Sequence, residues 1–434
     1  MKKSNQNQNQ SKLGFWSIVL LGINGVMGSG IFLLPNNAYK SMGTASLLAF
    51  VFAAVLVLLI ALVIGENASL FKEDGGPYLY TKEAFGNFVS YEVGILNWLA
   101  QIFVLATVVN GFITTLAGVS PVFAGGWVKT VAIMITFIIL IVLNVRGLKL
   151  TKYVNNLMTF SKLIPLFLFL CIGIFFIKGQ NFQPFALSQS FEPANFAQTV
   201  FLIFYAFGGF EALPLVAGEM ENPRKNLPRA LIVTISLISA IYIALQVVSI
   251  GILGPDLATS VVPVQDAFQR ILGPVGGILV AAGTIIASAG ASVATAFWTP
   301  RPGIALSKNK MLPSFLSKEN KKGMPYIGII ITLIISMLIS ISGSFVYLSQ
   351  VSSVITFLLF IPTTLALVVF RYTKKEERTF KVKAGKTVAV LAAVISIGLL
   401  TQASLDQFLA VLIVLILAIP FYFIYARKNN TEKG

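Results

Sequence analysis

Residues 22–35 read Gly-Ile-Asn-Gly-Val-Met-Gly-Ser-Gly-Ile-Phe-Leu-Leu-Pro and lie in the middle of the first long apolar run of the chain. A glycine inside a helix costs about 1 kcal/mol relative to alanine, and Gly25, Gly28 and Gly30 follow one another closely. Inside lipid, the backbone groups freed by a break must find a partner or line a cavity. The stretch therefore predicts a helix opened near the middle of a membrane. The alternative is close helix packing, which small residues also permit.

The composition is that of an all-α protein with many membrane spans. Of its 434 residues, 56% are hydrophobic and only 11% are charged, whereas a soluble domain carries about 25% charged residues. A spanning helix needs about 20 mostly apolar residues. Twelve runs of the sequence meet this requirement and are predicted to be membrane spans, at residues 13–35, 43–65, 90–118, 127–145, 154–177, 195–218, 229–253, 275–299, 326–343, 346–370, 387–404 and 407–426.

The charge pattern predicts the membrane orientation. Lys and Arg concentrate in loops on the cytoplasmic side of membrane proteins, and most basic residues here fall in the tails and alternate loops when the N-terminus is placed inside. We therefore predict a multi-pass protein of the cell membrane, surrounded by lipid, with both termini cytoplasmic. Topology accounts for the net charge of +16, so no nucleic acid partner is predicted. The chain has no His and a single cysteine, Cys171, in an apolar run, so neither a metal site nor a cofactor is predicted.

A second break is predicted in the sixth run. There Gly208 and Gly209 interrupt the span near its middle, and Glu211 lies beside them. Two broken helices, at the first and sixth positions, indicate a transporter built from inverted repeats.

The domain organisation follows from these two breaks. We predict helices 1–5 of the first repeat in residues 13–178, helices 6–10 of the second repeat in residues 193–372, and the appended helices 11 and 12 in residues 386–426. Residues 1–12 are too polar to bury a core and are predicted to be a disordered cytoplasmic tail. A second cytoplasmic tail is predicted at residues 427–434.

Four motifs carry a family resemblance, and they occur in matching order at residues 27–35, 75–80, 207–211 and 221–228. On these motifs the sequence resembles the amino acid–polyamine–organocation (APC) transporters over nearly its whole length. The resemblance implies the LeuT-like fold and an amino acid substrate. Within the family, the first motif looks most like the bacterial amino acid/amine exchangers. Lys162 instead looks like the fifth-helix lysine of sodium-independent amino acid permeases.

The two breaks are predicted to hold the substrate with backbone groups. New helix N-termini expose amides, and new C-termini expose carbonyls. Amides at the first break and the Ser29 hydroxyl can bind a carboxylate, and carbonyls of both breaks can accept from an ammonium group; the resemblance implies the same roles. The predicted substrate-binding residues are Val26, Met27, Gly28, Ser29, Gly30, Ile31, Tyr205, Ala206, Phe207, Gly208 and Phe210.

Side chains near the breaks are predicted to select the substrate. Tyr205 and Phe207 are candidate aromatic walls, and Phe210 resembles the aromatic lid of the family, with ordinary packing as the alternative for each. By resemblance, side-chain recognition involves positions that match Leu105 and Thr295. An apolar Leu105 cannot satisfy the donors of a guanidinium, which favours a neutral amino acid.

Two ionisable residues within spans are predicted to couple or gate transport, because such residues are rare in membranes and usually functional. Lys162 lies deep in the fifth run, where its ammonium is predicted to take the place of a bound sodium ion; the alternative is that it extends to the interface. Glu211 is interpreted either as a proton-sensitive switch or as a structural acceptor at the second break.

These observations predict a sodium-independent secondary active transporter of neutral L-amino acids. It would work by alternating access, through proton symport or exchange, with an amino acid/amine antiporter of the polyamine type as the alternative. A membrane-embedded enzyme is disfavoured because no spaced catalytic set occurs, and a channel because two broken helices replace pore-lining repeats. The oligomeric state is left open, a homodimer included.

Overall fold

A computed structural model describes residues 12–28, 30–71, 76–147, 152–185, 192–374 and 378–426. Within these ranges the regular secondary structure is entirely helical. The α-helices are α1 (Phe15–Val26), α2 (Gly30–Met42), α3 (Ser46–Ala68), α4 (Gly76–Phe85), α5 (Asn87–Val119), α6 (Gly126–Val145), α7 (Lys152–Gly173), α8 (Pro193–Phe204), α9 (Pro223–Leu253), α10 (Pro263–Trp298), α11 (Arg301–Lys308), α12 (Tyr326–Ser342), α13 (Phe345–Thr373), α14 (Gly385–Leu400) and α15 (Leu405–Phe421).

In the described ranges, eight helical segments are long and apolar enough to cross a membrane. The twelve predicted runs exceed this number for two reasons. Helices α2 and α3 join through a short 3₁₀ turn into the single segment Gly30–Ala68, and several apolar helices are short, such as α12 with 17 residues and α14 with 16. The all-helical membrane protein is confirmed, whereas the number of twelve spans stays a prediction.

The helices pack in pairs around the centre of the bundle. Helix α3 packs against α9, and α5 packs against both α10 and α13. Helix α1 also contacts α9, while α8 contacts α3. Most buried apolar side chains of these helices form one large cluster that includes residues next to both breaks, and a second cluster lies between α5, α6, α10 and α12. In contrast, much of α15 is exposed, including Phe408, Ile413 and Leu417, which suits a helix that faces lipid.

A short backbone pairing joins the start of α1 to the other broken helix. Leu13 and Met220 form an isolated parallel β-bridge, in which the Leu13 amide donates to the Glu219 carbonyl at 2.9 Å and the Glu221 amide donates to the Leu13 carbonyl at 2.9 Å. The entry of the first broken helix and the exit of the second are therefore held together. Of the two predicted tails, all residues except Lys12 lie outside the described ranges.

A buried charge cluster connects the end of α3 to the end of α13. Glu66 is fully buried and accepts two hydrogen bonds from Arg371, at 2.8 Å from Nε and 2.6 Å from Nη2. The Val382 amide donates to the same carboxylate at 2.8 Å, and Arg378 Nε lies 3.4 Å from it. Charges buried this deeply must be paired, so this cluster fixes the relative position of α3, α13 and the segment before α14.

Candidate functional site

The first break lies between α1 and α2. Helix α1 ends at Val26 and α2 begins at Gly30, so the predicted interruption is present at the predicted glycines. Met27 leaves the helical region with a ψ of 84°, and the Gly28 amide donates to the Val26 carbonyl at 2.8 Å. Ser29 lies outside the described residues. The new helix start at Gly30 leaves amides of its first turn without partners inside the helix.

The second break follows α8. A 3₁₀ turn covers Tyr205–Phe207, Gly209 adopts a φ of 113°, and a 3₁₀ helix then runs over Phe210–Glu219. The Gly209 amide donates to Glu211 Oε2 at 2.8 Å, which supports the interpretation of Glu211 as an acceptor that stabilises this break. Its other oxygen, Oε1, is buried and has no hydrogen-bond partner among the described residues.

The two breaks touch each other. A Cβ at Gly209 would lie 2.4 Å from the Gly25 carbonyl oxygen, and a Cβ at Gly30 would lie 3.2 Å from the Cα of Ala206. A side chain at Gly209 or at Gly30 would meet the backbone of the other broken helix, which explains why the sequence has glycine at both places. The freed backbone groups of the two helices are thereby gathered in one region.

A cavity adjoins the contact between the two breaks, and we call it the central cavity. The free space between its lining atoms, together with the open solvent at its mouth, is about 480 Å³. Its lining residues come from α1, α5, the 3₁₀ helix after the second break, and α10, and none of these described residues is charged: Leu21, Asn24, Gly25, Gln101, Val104, Gly209, Ala212, Leu213, Ala294, Thr295 and Trp298.

Gln101 supplies the clearest polar signal in the central cavity. The residue is 4% exposed, and its Nε2 atom has no hydrogen-bond partner in the described part of the chain. An unmade hydrogen bond in a buried site is costly, so this donor indicates a ligand that accepts from it. Gln101 was not among the predicted site residues, although a glutamine in the middle of an apolar span was a usable signal.

The predicted aromatic residues lie beside the breaks but outside the lining of the central cavity. The Phe207 ring packs against Tyr242 with 5.1 Å between ring centroids. The Phe210 ring packs against Phe360 at 5.2 Å, and Tyr205 meets Phe345 edge to face at 6.0 Å. In this structure their rings therefore pack against neighbouring helices.

The remaining predicted residues form the buried surroundings of the breaks. Val26, Met27 and Ile31 are buried in the apolar cluster. Gly28 approaches α5, where an added Cβ would lie 3.5 Å from Val108. The Ala206 carbonyl accepts a hydrogen bond from Tyr242 at 3.0 Å, and the Tyr205 carbonyl accepts from the Gly208 amide at 3.0 Å.

Three further positions, in the third, fifth and eighth predicted spans, differ in where the structure places them. Thr295 lines the central cavity, as expected from its matched position. Leu105 instead lies in a separate apolar cluster with Phe137 and Leu333, so α5 presents Gln101 and Val104 to the cavity. Lys162 lies in α7, but its side chain is outside the described part of the structure.

Comparison with known proteins gives a consistent result. A family model described as amino acid permease matches residues 13–432. The chain is similar to the branched-chain amino acid permease BcaP of Bacillus subtilis, with 26% identity over 98% of this chain and 95% of the relative. It is also similar to the serine/threonine exchanger SteT of the same organism, with 26% identity over 88% and 89% of the two chains. An uncharacterized transporter of Mycobacterium tuberculosis is 26% identical over 89% of this chain and 86% of its own length.

Proposed function

Because this chain belongs to the amino acid permease family, we propose that it is a sodium-independent secondary active transporter of neutral L-amino acids. Membership of the family and the apolar helices establish a multi-pass membrane protein related to amino acid transporters. The proposal adds the substrate class, alternating access as the mechanism, and proton symport or exchange as the means of coupling.

The uncharged lining of the central cavity is the observation that supports a neutral substrate. A charged side chain of the substrate would be left unpaired in a buried site, at a cost of several kcal/mol. No charged residue is found among the described residues of the lining. The relatives agree with this choice, since the printed names of two of them refer to branched-chain amino acids and to serine and threonine. Leu105 lies away from the cavity and therefore does not contribute to this choice.

We propose that the breaks hold the amino and carboxyl groups common to all amino acids. The carboxylate would lie at the start of α2, where a helix N-terminus favours an anion. The Val26 and Tyr205 carbonyls each accept one backbone hydrogen bond, and a carbonyl oxygen has a second lone pair for an ammonium group. The contact between Gly25 and Gly209 supports this arrangement by holding both breaks together.

The inverted repeat and the orientation are further parts of the proposal. Helices α3 and α9 would be equivalent members of repeats 13–178 and 193–372, and they pack against each other. The contact of α1 with α9 has its counterpart in the contact of α8 with α3. The distribution of Lys and Arg supports cytoplasmic termini, which would place the central cavity on the cytoplasmic side of the breaks.

We also propose that Lys162 replaces a bound sodium ion. Helix α7 packs against α1, and Thr159, one turn before Lys162, lies with its hydroxyl 3.5 Å from the Leu20 carbonyl of α1. The backbone of this part of α7 therefore runs beside the first broken helix. A fixed ammonium would make the protein an exchanger, whereas one that loses its proton during the cycle would make it a proton symporter.

Counterflow in proteoliposomes tests the proposed function. Vesicles loaded with one neutral amino acid should take up a labelled neutral amino acid, equally in sodium and choline buffers. Amino acid methyl esters, which lack the carboxylate, should compete poorly. A panel of basic amino acids and amines forms the second arm, and counterflow driven by amines alone would favour the amino acid/amine antiporter instead.

A further inference from the structure

A second cavity lies next to the central cavity, and we call it the vestibule. The free space between its lining atoms, together with the open solvent at its mouth, is about 770 Å³. Its walls come from α4, the first turns of α5, the 3₁₀ helix after the second break, and α11. The lining residues that matter here are Tyr78, Asn97, Leu215, Arg301 and Ala305.

The two cavities follow each other along the same walls. On α5, Gln101 lines the central cavity and Asn97 lines the vestibule. These two residues are four positions apart and therefore share one face of the helix, about 6 Å apart along its axis. The 3₁₀ helix contributes Leu213 to the first cavity and Leu215 to the second. The vestibule therefore follows the central cavity in the direction of one end of the bundle. The proposed topology places this end in the cytoplasm.

A stacked pair of side chains connects the linings of the two spaces. The Trp298 ring lines the central cavity, Arg301 lines the vestibule, and the Arg301 guanidinium lies 4.4 Å from the centroid of the Trp298 ring. The same guanidinium lies 4.5 Å from the centroid of the Phe297 ring, so Arg301 stacks on two neighbouring rings, and each cation–π contact at a partly open site is weak. The stack lies where the linings of the two cavities meet, which is the position of a gate.

The vestibule carries polar groups that match an amino acid. Asn97 is 2% exposed, and its Oδ1 atom has no hydrogen-bond partner among the described residues, which leaves an acceptor for an ammonium group. The Arg301 guanidinium suits a carboxylate. Leu215 and Ala305 add apolar surface. Burial raises the pKa of Tyr78, so its hydroxyl stays neutral and adds no charge to the wall.

We infer that the vestibule is a second, transient binding site for the transported amino acid, and that Trp298 and Arg301 form the gate between it and the central cavity. This inference rests on the proposed function, since it assigns the substrate of the central cavity to a second site. The Asn97 amide oxygen binds the ammonium group there and Arg301 binds the carboxylate. A lipid phosphate would share the chemistry with Arg301 and is distinguished by the test below.

The test uses the single cysteine of the chain. Cys171→Ser removes the only thiol, and Ala305→Cys then introduces one at an exposed position of the vestibule wall. The rate at which a negatively charged methanethiosulfonate reagent modifies this thiol is measured in detergent against the concentration of a transported amino acid. Lys318→Cys, exposed and outside the vestibule lining, is the matched control. We expect the amino acid to slow modification at position 305 at least fivefold and to leave position 318 unchanged.

Binding in the central cavity is followed separately, by the rise in melting temperature that the amino acid causes. The vestibule should fill at a higher amino acid concentration than the one that raises the melting temperature. Asn97→Ala should abolish the protection at position 305 while the rise in melting temperature persists. If Asn97→Ala does not fold, Arg301→Gln provides the second variant and should weaken the protection at least threefold.

Two results would overturn the inference. In the first, protection at position 305 depends on amino acid concentration in the same way as the melting temperature does, and it persists in both variants. The central cavity would then close around its substrate, and the vestibule would bind nothing. Protection by phosphatidylglycerol vesicles without amino acid, and none by phosphatidylcholine vesicles, would assign the vestibule to a lipid phosphate. If no amino acid is transported by the unmodified protein, the proposed function itself fails, and the counterflow assay shows this independently.

Discussion

Gly209 lies so close to Gly25 that a methyl group on its Cα would stand 2.4 Å from the Gly25 carbonyl oxygen. This contact joins two helices that are each broken at that level, and it is made by backbone atoms alone. Position 209 requires glycine for two reasons: a side chain would overlap with Gly25, and the φ of 113° is one that other residues rarely adopt.

Gly209→Ala should therefore separate the breaks. We expect loss of transport and a fall in stability of at least about 2 kcal/mol, from the combination of steric overlap and backbone strain. Gly398→Ala is the control, because Gly398 lies in α14 with no atom within 4 Å of an added Cβ. Thermal unfolding in detergent and counterflow measure the two effects. A Gly209→Ala protein with normal stability would show that the close contact is not required.

Gln101→Leu should weaken substrate binding without destabilising the protein. A hydrogen bond to a charged group contributes about 1.5–3 kcal/mol, so affinity should fall about 10-fold to 100-fold. Because Nε2 has no partner among the described residues, the melting temperature without substrate should stay the same or rise. Thr114→Val on the same helix is the control, because the Thr114 hydroxyl already has a partner: it donates to the Asn110 carbonyl at 2.9 Å. Unchanged affinity in Gln101→Leu would remove this residue from the site.

Glu211→Gln should flatten the pH dependence of transport. The glutamine oxygen can still accept from the Gly209 amide, so the break and substrate binding should be preserved, whereas the side chain can no longer exchange a proton. Glu319→Gln is the control, because Glu319 is exposed and pairs with Lys308 at 3.3 Å. Counterflow from pH 5 to 8 provides the measurement. An unaltered profile would leave Glu211 with the structural role alone.

Glu66→Ala should be among the most destabilising substitutions in the protein. It leaves Arg371 and Arg378 largely buried without their carboxylate, and removing one partner of a buried ion pair costs about 3–5 kcal/mol. Glu319→Ala breaks an exposed pair and should cost less than about 1 kcal/mol. The two melting temperatures are compared in the same detergent. Equal decreases in melting temperature for the two variants would show that the buried cluster stabilises the protein no more than the exposed pair does.

Lys162→Ala should reduce turnover more than it reduces substrate binding, because the proposed loss falls on the conformational step. The unmodified protein should transport equally well with and without sodium. Lys178→Ala, at an exposed position beyond the same apolar run, should behave like the unmodified protein. Uptake stimulated by sodium, or normal turnover in Lys162→Ala, would exclude the proposed role.

The sequence predicted the features of this protein that depend on local backbone chemistry. Both breaks occur where glycines were clustered, because glycine removes a side chain and widens the allowed backbone angles at that very residue. The all-helical membrane class followed equally directly from composition. The family motifs added the expectation of an amino acid substrate, which the comparisons support through the amino acid permease family.

The rotation of each helix about its axis was not predictable in the same way. Helix α5 carries Asn97 and Gln101 on one face, but two polar residues on a largely apolar helix do not show whether that face borders a cavity or another helix. Leu105 was assigned to the site by family resemblance, although it packs against Phe137. Gln101 and Trp298 were missed because their common cavity forms only when α5 and α10 pack together.

The buried cluster around Glu66 also has a consequence for biosynthesis. Its main partner, Arg371, is 305 residues later in the chain. At about 5–20 residues per second, the ribosome supplies that arginine on the order of tens of seconds after the acid. Glu66 must spend this interval solvated at the boundary of the bilayer, because an unpaired carboxylate is not buried. Closure of this end of the bundle is therefore a late event, and a nascent chain that stops short of the arginine cannot complete it.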